Sequence, residues 1–274
     1  MSDIFDKFRL DGRAAIVTGG VGLLGKEFCK TLAQAGAKVV IADLNEKGAE
    51  SLAMEISQTG RDALGVGVDV TDPESVQSMV QRTLERFGRL DILVCSAALD
   101  PKFDAESQSH QNNNAFEHYP LSAWKQALDV NLTGMFLCCQ AAVQPMVLQN
   151  YGVIINICST YGIVAPDQRL YERPGQPPQY KPVYYPVTKS GVLGLTRYLA
   201  AYYAGKNIRV NALTPHGIFN HHDEIFLQNF RARSVLGRMA EKDEMNGALL
   251  FLASDASSYM TGSNLVVDGG WTVW

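Results

Sequence analysis

A regular alternation of short β-branched runs with longer segments of helical apolar spacing constrains the fold of this 274-residue sequence more than any other feature. Residues 14–17 form the first apolar run, a glycine-rich turn follows, and Phe28, Leu32 and Ala35 then recur at helical spacing. Further runs of strand type lie at residues 38–42, 63–68, 91–94, 153–158, 208–213 and 265–267. Strands alternating with helices in this way predict an α/β fold, with one doubly wound, seven-stranded parallel sheet in a single domain.

Helices are expected between these strands, and the longest spans residues 121–149. Thr71 and Glu74 form a capping-box-like pair, with Pro73 in the first turn of a helix that ends near Gly88. A helix from Asn45 to Ile56 precedes it, and later helices are predicted at residues 185–203 and 243–252. The single domain therefore takes in the whole chain, residues 1–274.

Two polar segments, residues 99–120 and 166–182, interrupt the alternation and lack apolar periodicity. They follow the fourth and fifth predicted strands. Loops beyond the carboxyl ends of strands border the ligand crevice in a sheet of this kind. Both insertions are therefore expected beside a binding site.

Composition limits the possible partners. The net charge is -4 and no run of lysine and arginine is present, which argues against a nucleic-acid partner. The longest apolar stretch, residues 133–143, is shorter than a membrane span needs, and residues 1–10 lack the pattern of a signal peptide. The five cysteines show no CxxC spacing and are expected to be buried and unpaired. We expect a cytoplasmic protein without a membrane or metal requirement.

The turn after the first strand has the composition of a dinucleotide site. Gly19, Gly22 and Gly25 would let backbone N–H groups approach a pyrophosphate at the start of a helix. Asp43 ends the second predicted strand, where a carboxylate accepts hydrogen bonds from the adenosine ribose and repels the extra phosphate of NADP. The pattern predicts a Rossmann-type fold that prefers NAD, with Asp69 either near the adenine or acting as a helix cap.

Tyr185 and Lys189 are four residues apart on a predicted helix, so their side chains share one face. A free tyrosine has a pKa of about 10, and a nearby ammonium would lower that pKa toward neutrality. The pair is therefore a candidate acid/base couple, and a lowered pKa is expected for Tyr185.

These motifs belong to an ordered series that covers nearly the whole chain. It comprises residues 18–25, 69–70, 129–134, 159, 185, 189, 211–215, 261–262 and 267–270. The series resembles the classical short-chain dehydrogenases/reductases. The resemblance implies that Ser159 binds the reacting oxygen, Tyr185 transfers its proton, Lys189 holds the nicotinamide ribose and Asn131 places a relay water.

The same resemblance implies further cofactor contacts and an oligomer. Cofactor contacts are implied for Gly19, Gly22, Leu24, Asp43, Asp69, Val70, Ala97, Tyr185, Lys189, Pro215, Gly217 and Ile218. A homotetramer or a dimer is implied, with a small molecule as substrate.

Three of the departures from the family pattern are short. Gly19, Gly22 and Gly25 have the spacing of the sugar-nucleotide epimerase and dehydratase branch. Residues 95–98, Cys-Ser-Ala-Ala, lack the amide side chains that usually brace this loop. His216 replaces a usual glycine and is a candidate substrate contact.

The insertion at residues 166–182 is the longest departure and carries Arg169, Arg173 and Lys181. A narrower resemblance links this loop to short-chain dehydrogenases of flagellin modification and nonulosonate sugar pathways. It implies an anionic, sugar-like substrate held by Arg169 or Arg173. The alternative is a surface loop or an oligomer contact.

Three functions are compatible with the sequence. The first is an NAD-dependent oxidoreductase that moves a hydride between nicotinamide and a secondary alcohol or ketone. The second is an epimerase or dehydratase that uses NAD transiently. The third is a non-catalytic NAD-sensing protein, although such relatives commonly lose the Tyr185 and Lys189 pair that this chain retains.

Overall fold

The computed structural model describes residues 3–100 and 114–274, and within them seven parallel strands form one sheet in the order β3-β2-β1-β4-β5-β6-β7. The strands are β1 (Ala14–Thr18), β2 (Lys38–Asp43), β3 (Ala63–Gly67), β4 (Ile92–Cys95), β5 (Gly152–Ile157), β6 (Ile208–Pro215) and β7 (Asn264–Val267). The strand order reverses at β1, which pairs with β2 on one side and with β4 on the other. The predicted doubly wound parallel sheet is confirmed, and its switch point lies between β1 and β4.

Helices cover both faces of the sheet. They are α1 (Leu23–Gln34), α2 (Glu46–Ser57), α3 (Pro73–Phe87), α4 (Leu121–Leu128), α5 (Gly134–Leu148), α6 (Tyr184–Tyr202), α7 (Glu224–Arg233) and α8 (Asn246–Ala253). All five residues of β1 are buried, since Ile16 packs into the apolar layer on one face and Val17 into the layer on the other. This two-sided burial explains why the strands are continuous apolar runs rather than alternating ones.

The long helix predicted at residues 121–149 is interrupted. A π-helical turn, Asp129–Thr133, separates α4 from α5 and contains the buried Asn131. Such turns insert one residue into the hydrogen-bond ladder and often occur at functional sites. Apolar spacing alone does not detect the insertion, because the helix continues on both sides of it.

Two helix starts also differ from expectation. Asp72, not Thr71, caps α3 by accepting a hydrogen bond from the Glu74 N–H group. The helix predicted at residues 243–252 begins as a 3-10 turn, Lys242–Met245, with a capping box between Glu241 and Glu244. The helix α7 was not predicted from the sequence, although half of its ten residues are apolar.

The insertion at residues 166–182 is not a purely polar loop. Leu170 and Tyr171 are buried in a small apolar cluster with Phe226 and Phe230 of α7. Met239 and Trp271 complete this cluster. The expected insertion at residues 99–120 falls largely on residues 101–113, which lie outside the described residues.

Two expectations about solubility can be compared with the structure. Among the described residues, the helical segment Leu121–Leu148, which spans α4, the π-helical turn and α5, is long and apolar enough to cross a membrane by length and composition. Half of its most apolar window is buried inside the domain, so the helix is weak evidence for a membrane span. All five cysteines are buried and free, as predicted.

Candidate active site

The glycine turn between β1 and α1 leaves room for a ligand against the backbone. Gly19 has a φ of 64°, and a Cβ on Gly25 would collide with the carbonyl oxygen of Gly19. Gly22 caps α1 without a side-chain hydrogen bond, so N–H groups at the start of this helix face outward without a side-chain acceptor. An anion is favoured at such a position. The residues present therefore fit the pyrophosphate of a dinucleotide.

Asp43 lies at the carboxyl end of β2 and connects this strand to the glycine turn. Its Oδ2 accepts a hydrogen bond from the Val21 N–H group at 3.0 Å, and its Oδ1 accepts one from the Asn45 N–H group at 3.0 Å. Each carboxylate oxygen retains a second lone pair that a ribose hydroxyl can use. The position and chemistry of Asp43 therefore fit an adenosine ribose.

Asp69 follows β3 and is exposed. Its Oδ1 accepts hydrogen bonds from the N–H and Oγ1 groups of Thr71, and these bonds lower the pKa of Asp69. Asp69 does not cap α3, because Asp72 does. Val70 packs against Gly134 at the start of α5, where a Cβ would be too close to the valine side chain.

The loop after β4 is braced by residues from other elements. The Oγ1 of Thr18 accepts hydrogen bonds from the N–H groups of Ser96 and Ala97, at 3.2 Å and 3.3 Å. Asn131 binds the backbone of Leu99 through both its amide oxygen and its amide nitrogen. Thr18 and Asn131 therefore support this loop, although residues 95–98 lack the usual amide side chains.

Ser159, Tyr185 and Lys189 converge beyond the end of β5. Ser159 follows the strand directly, and its Oγ accepts a hydrogen bond from the Tyr161 N–H group at 3.3 Å. Gly162 packs so tightly against the Lys189 carbonyl that a side chain would collide with it, which fixes α6 against this turn. The Nζ of Lys189 donates to the Ile157 carbonyl oxygen at 2.9 Å. The structure thus brings the three predicted catalytic side chains together.

The pKa values of this group differ from expectation. Burial raises the pKa of Tyr185 well above 10.0, Asp100 raises it further, and a hydrogen bond with Ser159 lowers it. Burial also lowers the pKa of Lys189, whose Nζ lies 5.8 Å from the Tyr185 ring centroid. The lowered pKa expected for Tyr185 is wrong in this structure, because desolvation of the phenolate is the largest effect.

A cavity of about 460 Å³ is lined both by residues of the glycine turn and by Tyr185. Gly19, Gly22 and Leu24 line one side, and Ser159, Tyr185 and Lys189 line another. Residues 215–218 form a third side that includes Pro215, Gly217 and Ile218. Asp43, Asp69, Val70, Ala97 and Asn131 are not among its lining residues. The cavity therefore places the predicted catalytic residues and one part of the predicted cofactor site around the same space.

Comparison with known proteins agrees with this arrangement. A family model described as enoyl-(acyl carrier protein) reductase matches residues 22–272. A D-threitol dehydrogenase of Mycolicibacterium smegmatis is 35% identical over 271 residues, which cover 97% of this chain and 95% of the relative. The chain belongs to the short-chain dehydrogenase/reductase family. It is an oxidoreductase that acts on CH–OH groups with a nicotinamide cofactor.

Two further family members are similar over nearly their full length. A cis-4-hydroxycyclohexanecarboxylate dehydrogenase of Sinomonas cyclohexanicum is 35% identical and covers 95% of this chain and 96% of its own. A gluconate 5-dehydrogenase of Burkholderia cenocepacia, solved with NADP and tartrate, is 32% identical with a TM-score of 0.86. That likeness covers 99% of this chain and 100% of the solved one.

His216, which replaces the usual family glycine, lines the cavity and is packed by aromatic rings. It stacks on Phe230 and lies 4.4 Å from the Trp271 ring centroid. Its Nδ1 hydrogen-bonds Thr160 Oγ1, whereas its buried Nε2 has no partner among the described residues. Burial lowers its pKa to about 3, so the imidazole is neutral.

His221 and His222 also line the cavity. His222 stacks on Phe226 with ring centroids 4.7 Å apart. Across residues 3–100 and 114–274, no group of three or more potential ligand side chains is placed to hold a metal ion.

The two arginines expected to hold the substrate lie outside the cavity. Arg169 is 75% exposed and pairs with Asp167, while Arg173 is 9% exposed and pairs with Asp223 at 2.6 Å. Both line a separate surface hollow beside Trp274. The apolar anchoring of Leu170 and Tyr171 directs these arginines away from Tyr185. In this structure neither Arg169 nor Arg173 lines the cavity beside Tyr185, so their contact with a substrate stays a prediction.

Lys181 lines the cavity instead. Lys181 is one of the three cations that the sequence places in the insertion, and it directly precedes the proline that leads into α6. Asp100, which also lines the cavity and pairs with Lys181, was not singled out. The position of Lys181, four residues before the candidate acid/base residue Tyr185, was the sequence feature that could have indicated its place in the site.

Proposed function

We propose that this enzyme is an NAD-dependent dehydrogenase that interconverts a secondary alcohol and a ketone on a polar, anionic, sugar-like substrate. The observation that carries the proposal is the convergence of Ser159, Tyr185 and Lys189 on a cavity that continues to the glycine turn. Such a space can hold a substrate oxygen and a nicotinamide ring side by side. Positioning of this kind supplies much of the rate enhancement in hydride transfer.

Ser159 and Tyr185 are assigned to the reacting oxygen. Ser159 donates a hydrogen bond to that oxygen, and the Tyr185 hydroxyl gives its proton to the oxygen during reduction or accepts one during oxidation. When bound, NAD or NADH accepts or supplies the hydride. The cation of Lys189 stabilises the developing phenolate of Tyr185 and binds ribose hydroxyls, and Asn131 supports the adjoining loop and a relay water.

Asp43 supports NAD rather than NADP. Its carboxylate lies where the ribose 2′ position is expected, and its neighbours Ala42 and Leu44 supply no cation for a 2′-phosphate. Asp69, Val70 and Ala97 are proposed to line the adenine and ribose side of the same site. The NADP in the gluconate 5-dehydrogenase structure belongs to that protein.

The substrate class is proposed from the relatives and from the cavity. The relatives carry the names of dehydrogenases for threitol and for a hydroxylated cyclohexanecarboxylate, and both names denote polar alcohols. The cavity has the volume of a small-molecule site and contains the charged side chains of Asp100, Lys181 and Lys189. These features favour a small polar substrate over a long acyl chain.

A second candidate function is an epimerase or dehydratase that returns NAD unchanged. The Gly19, Gly22 and Gly25 spacing favours it. Net formation of NADH in the presence of substrate distinguishes the two functions, because an epimerase or dehydratase produces none.

We also propose a cytoplasmic homo-oligomer, either a tetramer or a dimer. Tyr198 and Tyr202 of α6 are exposed and stacked on each other with ring centroids 5.7 Å apart. Exposed aromatic groups of this kind are typical of protein interfaces. The buried, free thiols suit a reducing compartment.

The proposed function is tested by NADH absorbance with a panel of polyols and hydroxy acids. We expect NAD reduction with at least one of them and its loss in Tyr185→Phe, because the phenol carries the proton. NADH binding should be nearly unchanged in that variant. Tyr259→Phe is the matched control, since Tyr259 is fully exposed. A fully active Tyr185→Phe enzyme would contradict the assignment.

A further inference from the structure

Lys181 and Asp100 form an ion pair directly over the proposed acid/base residue. The Nζ of Lys181 lies 2.6 Å from the Oδ1 of Asp100 and 4.1 Å from the Tyr185 ring centroid. Both residues line the cavity that Tyr185 also lines. This pair is therefore close enough to contact a substrate bound at Tyr185.

The backbone holds Lys181 at this place. Its N–H group donates a hydrogen bond to the Gln168 Oε1 at 2.9 Å, and the neighbouring Tyr180 carbonyl accepts one from the Asn114 Nδ2 at 3.2 Å. Lys181 also lies one residue before Pro182, whose carbonyl accepts a hydrogen bond from the Tyr185 N–H group. The ammonium group is thus presented by a tethered segment.

Among the described lining residues, the formal charges that face this space come from Lys181, Lys189 and Asp100. His216 and His222 also line it, and burial lowers the pKa of both imidazoles. His221 completes the set of titratable imidazoles there. Lys189 donates to the Ile157 carbonyl, whereas the Nζ of Lys181 lies over the Tyr185 ring, so Lys181 is the cation better placed to meet an anion of a substrate bound at Tyr185.

The two members of the ion pair differ in their access to water. The Lys181 side chain is 8% exposed, whereas the Asp100 side chain is 57% exposed. A buried ammonium needs an anionic partner, because its removal from water is costly. Asp100 can return to water at small cost, since exposed ion pairs contribute little. Another carboxylate can therefore replace Asp100 on Lys181.

We propose that Lys181 is a specificity-determining residue that binds a carboxylate group of the substrate, and that Asp100 is the counterion which this carboxylate displaces. The proposal rests on the proposed function, because Tyr185 defines where the reacting carbinol lies. It names the substrate class as hydroxycarboxylates. Before substrate binds, the Asp100 carboxylate occupies the position that the substrate carboxylate takes.

The chemistry of the position favours a carboxylate over a phosphate. The anion already in contact with the Lys181 Nζ is a carboxylate. No arginine is among the described lining residues, although a guanidinium fork is the usual partner for a phosphate group. The single positive charge of the Lys181 ammonium matches one negative charge better than two.

Threonate and threitol are suitable probes, because they share a four-carbon polyol skeleton and differ in one carboxylate. Each is titrated by calorimetry into the NADH-loaded enzyme, together with inorganic phosphate. We expect threonate to bind about tenfold or more tightly than threitol, as a charge-assisted contact predicts. Lys181→Met should abolish this preference. Arg169→Met is the matched control, because Arg169 is a paired cation of the same insertion outside the cavity, and it should retain the preference.

Asp100→Asn provides an independent readout that does not remove the lysine. Without the competing carboxylate, threonate should bind several-fold more tightly than in the wild type. Asp100 raises the pKa of Tyr185, so this variant should also move the pH dependence of turnover to lower pH. A merely structural ion pair would change neither threonate affinity in this direction nor the pH profile in this way.

Each other outcome overturns the proposal. Equal affinities of the wild type for threonate and threitol, absent binding of both, or a preserved preference in a folded Lys181→Met enzyme would contradict a carboxylate site. Tighter binding of phosphate than of threonate would show that the site prefers a phosphate group and would overturn the carboxylate assignment. If Lys181→Met does not fold, the Asp100→Asn result decides. The Tyr185→Phe enzyme separates the two proposals. Its turnover tests the proposed function, whereas its preference for threonate over threitol tests the carboxylate site alone.

Discussion

Asn131 and Leu99 form a two-point hydrogen-bonded pair. The Leu99 N–H group donates to the Asn131 Oδ1 at 2.6 Å, and the Asn131 Nδ2 donates to the Leu99 carbonyl oxygen at 3.1 Å. The π-helical turn Asp129–Thr133 presents this buried side chain, whose Nδ2 also lies 3.3 Å from the Thr188 Oγ1. One asparagine thus connects the loop after β4 to the helix that carries Tyr185 and Lys189.

Asn131→Ala should therefore affect both stability and catalysis. It leaves the backbone groups of Leu99 without their partner, which costs about 1–3 kcal/mol of unfolding free energy. Turnover should fall as the loop shifts away from Tyr185. Urea unfolding and steady-state kinetics measure the two effects. Thr188→Val retains the Leu99 pair and should lose less stability, so equal losses in the two variants would argue against this role.

Asp43 should control the choice between the two nicotinamide cofactors. We expect NAD(H) to bind about tenfold or more tightly than NADP(H), because the carboxylate repels a 2′-phosphate. In calorimetry, Asp43→Ala should show a smaller difference between the affinities for NAD(H) and NADP(H). Asp69→Asn is the control, since it changes a neighbouring carboxylate at the end of the next strand and should weaken both cofactors equally. Equal affinity of the wild type for both cofactors would contradict NAD preference.

His216 should make the protein less stable at acid pH. Burial lowers its pKa from 6.5 to about 3, so the unfolded chain binds a proton that the folded protein rejects between these values. The stability contribution is present above the unfolded pKa and decreases as the pH falls. Between pH 6.5 and pH 4 the loss is about 3 kcal/mol, since one pKa unit corresponds to about 1.4 kcal/mol.

His216→Phe removes this titration and retains an aromatic ring beside Phe230 and Trp271. Its unfolding free energy should fall less steeply than that of the wild type between pH 6.5 and pH 4 in urea titrations. His118→Phe substitutes an exposed imidazole and should leave the wild-type slope unchanged. An unchanged slope in His216→Phe would show that the buried imidazole accepts a proton in the folded protein.

Local patterns in the sequence were sufficient for the sheet and for the central pair of the site. Strands buried on both faces are continuous apolar runs, so each of the seven was located from its residues alone. Tyr185 and Lys189 share a helical face because helix geometry is local. Ser159 was identified through family resemblance, which also placed it next to the end of β5.

Contacts between residues distant in the sequence decided the remaining features. The direction of Arg169 and Arg173 depends on Leu170 and Tyr171, whose apolar partners lie on α7 and at Trp271. Likewise, Asp100 lies close to Lys181 because the loop after β4 and the insertion after β5 pack against each other. Burial raises the pKa of Tyr185, whereas a lowered pKa was expected from its spacing to Lys189. Spacing along the chain determines which residues can share an element, whereas burial and charge pairing arise only when distant elements pack together.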